Sequence, residues 1–70
     1  MTKEEAINAY IKNIKETAED SLLTIKRIQE TESSSILFIS AEELSEQAHN
    51  LYRLAVRIQT LEIMDNLTQN

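Results

Sequence analysis

The chain has 70 residues, none of them cysteine, glycine or proline, and its 7 basic and 12 acidic residues give a net charge of −5. The lack of cysteine excludes a disulfide framework and a thiolate zinc site, and the acidic balance disfavours binding to nucleic acid or to an anionic membrane. Tight β-turns usually need glycine, asparagine or proline, so the composition predicts an all-α protein with long helices. A chain of this length is expected to form one domain, residues 1–70.

The first predicted helix runs from Thr2 to about Gln29. Its expected inner face consists of apolar residues at spacings of three and four, which are Ile7, Ile11, Ile14, Ala18, Leu22, Ile25 and Ile28. Thr2 is the predicted N-cap, and Glu5, three residues later, completes a capping box. Leu23 is expected to point away from this face.

The segment SSSILFIS, residues 33–40, separates the two predicted helices. Its serines are expected to end the first helix by hydrogen bonding to nearby backbone groups. Ile36, Leu37 and Phe38 have two interpretations. Either they form a short helical turn at 34–39 that plugs the open end of the helix pair, or they contact another chain.

The second predicted helix runs from Ala41 to about Met64. Ser40 is its expected N-cap, and Glu43 completes a second capping box. The residues assigned to the flanking hydrophobic staple are Ile39 and Leu44, and those assigned to the inner face are Leu44, Ala48, Leu51, Ala55, Ile58 and Leu61. Leu54 is expected at the edge of that face.

A second apolar stripe on this helix, formed by Tyr52, Val56 and Ile63, lies roughly opposite the inner face. A helix that is apolar on two sides is normally covered on two sides. We therefore expect an antiparallel helical hairpin that assembles into a homodimeric four-helix bundle or a higher helical oligomer.

Catalytic and metal-binding motifs are not evident. Glu46 and His49 form a single Glu-x-x-His pair, whereas metal-binding bundles repeat this motif. One histidine and no glycine-rich loop offer neither a nucleophile dyad in a cleft nor a phosphate loop. The sequence predicts a non-enzymatic protein that uses no cofactor and no metal.

A cationic strip is the most suggestive polar feature of the second helix. His49, Arg53 and Arg57 follow one another at spacings of four, with Tyr52 beside them. The arginines either pair with Glu46 or with carboxylates of the first helix, or they bind an anion while the tyrosine stacks on a base.

These observations predict a small, acidic, cytoplasmic interaction protein that binds a larger protein partner as an inhibitor, adaptor or chaperone. A phage-type inhibitor of a host defence is one form of this function. The alternative is a helical oligomer that sequesters a small anionic ligand, such as a signalling nucleotide. The candidate partner-binding or ligand-binding residues are His49, Tyr52, Arg53, Val56, Arg57 and Ile63, and the candidate contacts between chains are Ile36, Leu37 and Phe38.

Overall fold

The computed structural model describes residues 2–68, with side chains described for residues 2–64. Two helices, α1 (Lys3–Glu30) and α2 (Ser34–Thr68), are joined by residues 31–33 and pack against each other as a hairpin. The predicted all-α hairpin is thereby confirmed. The molecule is a rod with principal extents of 56 × 16 × 15 Å. Neither helix, over the residues described, contains an apolar stretch of the length that spanning a lipid bilayer requires.

The start of α1 follows the prediction. Thr2 has extended backbone angles, and its Oγ1 accepts a hydrogen bond of 3.1 Å from the backbone N–H of Glu5. The same hydroxyl lies 3.2 Å from the Glu5 carboxylate, to which it donates. Glu4 and Glu5 also place negative charge at the positive end of the helix dipole. The cap and the first-turn carboxylates thus explain why the helix begins at Lys3.

The start of α2 differs from the prediction, because the helix begins at Ser34 and not at Ala41. The Oγ of Ser33 accepts the backbone N–H of Ile36 at 3.4 Å, and the carbonyl of Ser33 accepts the N–H of Leu37 at 2.9 Å. Ser33 is therefore the residue that caps this helix. The serines begin α2 and do not end α1, and the predicted turn at 34–39 is continuous with the second helix.

The assignment of Ser40 as an N-cap was wrong. An N-cap needs non-helical backbone angles, and Ser40 lies inside α2. Its side chain is fully buried, at 0% exposure, and its Oγ has no hydrogen-bond partner. Ile39 is 60% exposed, so it does not form the predicted staple with Leu44. Without glycine or proline in this segment, nothing interrupts a helix that has begun at Ser34.

The seam between the helices follows a seven-residue repeat with alternating spacings of three and four, as in an antiparallel coiled coil. Its residues are Ile7, Tyr10, Ile14, Thr17, Ser21, Thr24 and Ile28 of α1, and Ser40, Leu44, Gln47, Leu51, Leu54, Ile58 and Leu61 of α2, all buried or half-buried. The predicted inner faces were therefore partly wrong. The predicted inner residues that are exposed are Ile11, Leu22, Ile25, Ala48 and Ala55.

Side-chain hydrogen bonds explain why small polar residues lie inside the seam. The hydroxyl of Ser21 donates to the carbonyl of Thr17 at 2.9 Å, and that of Thr24 donates to the carbonyl of Asp20 at 3.2 Å. A hydroxyl that bonds to its own helix needs no partner from α2. These side chains can therefore be buried where the two helices approach closely.

The resulting core is thin. Leu54, at 7% exposure, is the one deeply buried large apolar side chain among residues 2–64. In the half of the seam near the connection, Ile28 and Leu44 are the apolar residues, and the other four positions are polar: Ser21, Thr24, Ser40 and Gln47. A single hairpin consequently buries little apolar surface and leaves many large apolar side chains exposed.

Candidate functional site

The two long faces of the hairpin differ in composition. Each seven-residue repeat has two seam positions, and the first is occupied by Ile7, Ile14, Ser21 and Ile28 in α1 and by Leu44, Leu51 and Ile58 in α2. In antiparallel helices, the residues directly before the first position meet on one side of the hairpin. The residues directly after the second position meet on the other side. The first set defines a polar face, made of Asn13, Asp20 and Arg27 of α1 and Glu43, Asn50 and Arg57 of α2. The second set ends in the exposed Glu62 of α2. Its other members, with the large apolar residues beside them, define an apolar face, made of Ile11, Ala18, Leu22 and Ile25 of α1 and Ala41, Ala48, Tyr52 and Ala55 of α2.

The polar face carries contacts that join the helices. Arg27 Nη1 donates to Glu43 Oε2 at 2.8 Å, and Asn50 Nδ2 donates to Thr17 Oγ1 at 3.3 Å. Both members of the ion pair are substantially exposed to solvent, so the pair contributes less than about 1 kcal/mol. These contacts join the two helices along the polar face but contribute little to the stability of the fold.

Arg57 lies against an aromatic ring. Its guanidinium carbon is 6.0 Å from the centroid of the Tyr10 ring, on the opposite helix. Cation–π contacts of this length at exposed sites contribute about 0.5–1 kcal/mol. Pairing with a carboxylate was one of the two interpretations of this arginine, and the structure shows a cation–π contact in its place.

A shallow surface groove of about 270 Å³ brings four of the predicted site residues together. It is lined by Tyr52, Arg53, Val56 and Arg57. All four belong to α2, and their spacing along the helix places them side by side on its outer surface. His49 and Ile63 are exposed on the same helix but do not line this groove.

The exposed second stripe was predicted correctly. Tyr52, Val56 and Ile63 are all exposed large side chains, and Leu23 of α1 points outward as expected. What sequence reasoning missed is the exposure of Ile11, Leu22 and Ile25. These three side chains extend the exposed apolar surface of α2 across the hairpin to α1.

The apolar tip, defined as Ile36, Leu37, Phe38 and Ile39, occupies the first turns of α2. Their exposed fractions lie between 45% and 66%. The interpretation of Ile36 to Phe38 as a plug was therefore wrong, because a plug would be buried. The second interpretation, a contact with another chain, remains a prediction. The signal for the tip in the sequence is the run of four consecutive apolar residues.

Within the part of the chain that the structure describes, no group of three or more histidine, cysteine, aspartate or glutamate side chains is placed to hold a metal ion. Glu46 lines a second groove on the polar face, with Thr17 and Asp20 of α1 opposite. Comparison with protein-family models, with curated proteins and with solved structures gave no match for this chain. The class defined here is an amphipathic helical hairpin with an exposed apolar tip, and its function is argued from these surfaces.

Proposed function

We propose that this protein is a non-enzymatic, cytoplasmic interaction protein that binds a larger protein partner through its apolar tip, and that it acts as an inhibitor, adaptor or chaperone. The observation that carries the proposal is the exposure of four consecutive large apolar side chains, Ile36 to Ile39, at one end of a rod-shaped molecule.

The arrangement of the tip residues indicates the shape of the partner. Consecutive residues of a helix are about 100° apart, so four of them encircle it. A helix that is apolar all round is normally buried on all sides, and within the hairpin α1 alone can cover only one side. The partner that fits the tip is therefore a protein with an apolar groove or cavity that receives a helix end.

The charged residues around the tip indicate which kind of residue should surround the partner's groove. Glu30, Glu32 and Glu42 are exposed close to the tip in sequence, and the whole chain carries a net charge of −5. Complementary charge at the rim of an interface accelerates association and selects the partner. We expect basic residues around the partner's apolar groove, and binding that weakens as salt is added.

Photocrosslinking tests the tip in the intact protein. Phe38→benzoylphenylalanine, expressed in the source cells, is expected to give one dominant adduct larger than twice the 8.1 kDa mass of the chain. Leu23→benzoylphenylalanine is the matched control, because Leu23 is about as exposed as Phe38, 65% against 66%, and lies on the outer side of α1. Equal adducts from both positions, or an adduct of only two copies from position 38, would contradict the proposal.

The affinity of the crosslinked partner gives the size of the effect. Phe38→Ser combined with Ile39→Ser is expected to weaken binding about a hundredfold or more, because burial of each large apolar side chain contributes about 1.5–3 kcal/mol. Leu23→Ser combined with Met64→Ser removes two other exposed side chains and should leave the affinity nearly unchanged. Isothermal titration calorimetry measures both, and circular dichroism verifies that helicity is unaltered.

The groove of Tyr52, Arg53, Val56 and Arg57 favours a second candidate function, the sequestration of a small anion such as a signalling nucleotide. Two guanidinium groups beside a tyrosine ring suit a phosphate and a base. A nucleotide at 100 times its dissociation constant would add about 2.7 kcal/mol, which raises the melting temperature by roughly 10–20 °C. Thermal-shift measurements on the parent and on Arg53→Ala test this, and a screen in which no nucleotide moves the parent contradicts it.

A further inference from the structure

We propose that the apolar face is the interface of a homodimer in which two hairpins form a four-helix bundle. The face runs along both helices, with Ile11, Leu22 and Ile25 on α1 and a row of alanines on α2. All of these residues are exposed in the single chain, and they lie on the side opposite the Arg27–Glu43 ion pair. This interface is separate from the apolar tip, so either proposal can fail without the other.

The surface area of the single hairpin matches what such a dimer needs. The chain exposes 5566 Å², whereas a compact monomer of 8.1 kDa exposes about 4,500 Å². The excess, about 1,000 Å² by the same relation, is close to the roughly 800 Å² that each partner buries in a standard protein interface. Pairing of two hairpins would therefore bring the exposed area to the level of an ordinary globular protein.

The shape of the face favours a second copy of the chain as the occupant. On α1 the face presents large side chains, and on α2 it presents Ala41, Ala48 and Ala55 at intervals of seven residues. A twofold axis parallel to the rod places α1 of one copy against α2 of the other, so that large side chains enter the shallow groove above the alanines, twice. An interface with twofold symmetry requires this kind of self-complementary surface. A foreign helix would need to contact only the large side chains of α1 or only the alanines of α2, and would leave the other row uncovered.

The distribution of charge is compatible with the association of two acidic chains. Two charged residues occupy positions equivalent to those of the apolar face, Lys15 one repeat before Leu22 and Glu62 one repeat after Ala55, and Asp20 and Glu43 lie on the polar face, across a rod that is 15 Å thick. Charges separated by more than the Debye length of about 8 Å at physiological salt are largely screened. Two chains that each carry a net charge of −5 still repel each other at low salt, and salt screens this repulsion. We therefore expect the dimer to become tighter as salt is added, in contrast to binding at the tip.

Sedimentation equilibrium of matched variants tests the dimer. Ala48→Glu places a carboxylate in the proposed interface and is expected to raise the dimer dissociation constant at least about a hundredfold, because an unpaired buried charge is strongly unfavourable in an interface. Ala9→Glu makes the same chemical change at an exposed position on the polar side of α1, and the dimer should persist. Both residues are exposed in the single hairpin, and glutamate is a good helix former, so neither change disturbs the helices themselves.

A measurement on the parent protein keeps the test independent of any variant. For a dimer, the melting temperature rises with protein concentration, since association stabilises the folded state by mass action. A parent that sediments as a monomer at tens of micromolar and melts at a temperature independent of concentration overturns the proposal, and the face then becomes a surface for a foreign protein. Equal dissociation of Ala48→Glu and Ala9→Glu overturns it as well.

Discussion

Leu54→Asp is expected to unfold the hairpin. Leu54 is 7% exposed and is the most deeply buried large apolar side chain among the described residues. Aspartate at this position would leave an unpaired charge in the seam, which costs several kcal/mol after relaxation. A 70-residue chain with a thin core has only a few kcal/mol of stability to lose. Far-ultraviolet circular dichroism should therefore show a largely unfolded chain at 25 °C.

Leu23→Asp is the control for this prediction. Leu23 belongs to the same residue type but is 65% exposed on the outer side of α1. Surface substitutions of this kind usually change stability by no more than about 0.5 kcal/mol. If Leu54→Asp melts at the same temperature as Leu23→Asp, Leu54 is not in the core and the register of the seam is wrong.

Ser40→Ala is expected to stabilise the protein by about 1.5 kcal/mol, which raises the melting temperature by roughly 6–12 °C. The Oγ of Ser40 is buried without a hydrogen-bond partner, and a buried unsatisfied hydroxyl is destabilising by about 1–3 kcal/mol. Alanine removes that group and is also the better helix former. Thermal melts followed by circular dichroism, at one protein concentration, measure the change.

The sign of this change distinguishes the two assignments of Ser40. If Ser40 were the N-cap of the second helix, its replacement by alanine would destabilise the protein by about 1 kcal/mol. Ser45→Ala, at an exposed position inside α2, controls for helix propensity. A Ser40→Ala variant that melts below the parent, or no higher than Ser45→Ala, would falsify the structural assignment.

The candidate surfaces were only partly predictable. The spacing of Tyr52, Arg53, Val56 and Arg57 indicated that they share one side of a helix, and they do line one groove. The contact of Arg57 with Tyr10 could not be predicted, because it depends on the register of the two helices. That register follows from the short connection at 31–33, whose position was not evident.

Two elementary features of the sequence determined the all-α hairpin. The absence of glycine and proline disfavoured tight turns, and apolar residues at spacings of three and four predicted helices on either side of the segment 33–40. The start of α1 was also predictable, since Thr2 and Glu5 are the right residues three positions apart. These are local properties, which do not depend on how the helices meet.

Only the tertiary structure decided where α2 begins and which row of α1 enters the seam. Ser33 and Ser40 are both acceptable caps, and the earlier one prevails because nothing in the segment stops a helix once it has formed. Two rows of α1 have helical spacing, and the one with larger side chains, including Leu22 and Ile25, remains exposed. The seam instead takes Ser21 and Thr24, whose hydroxyls bond to their own helix and whose small volume allows the helices to approach closely.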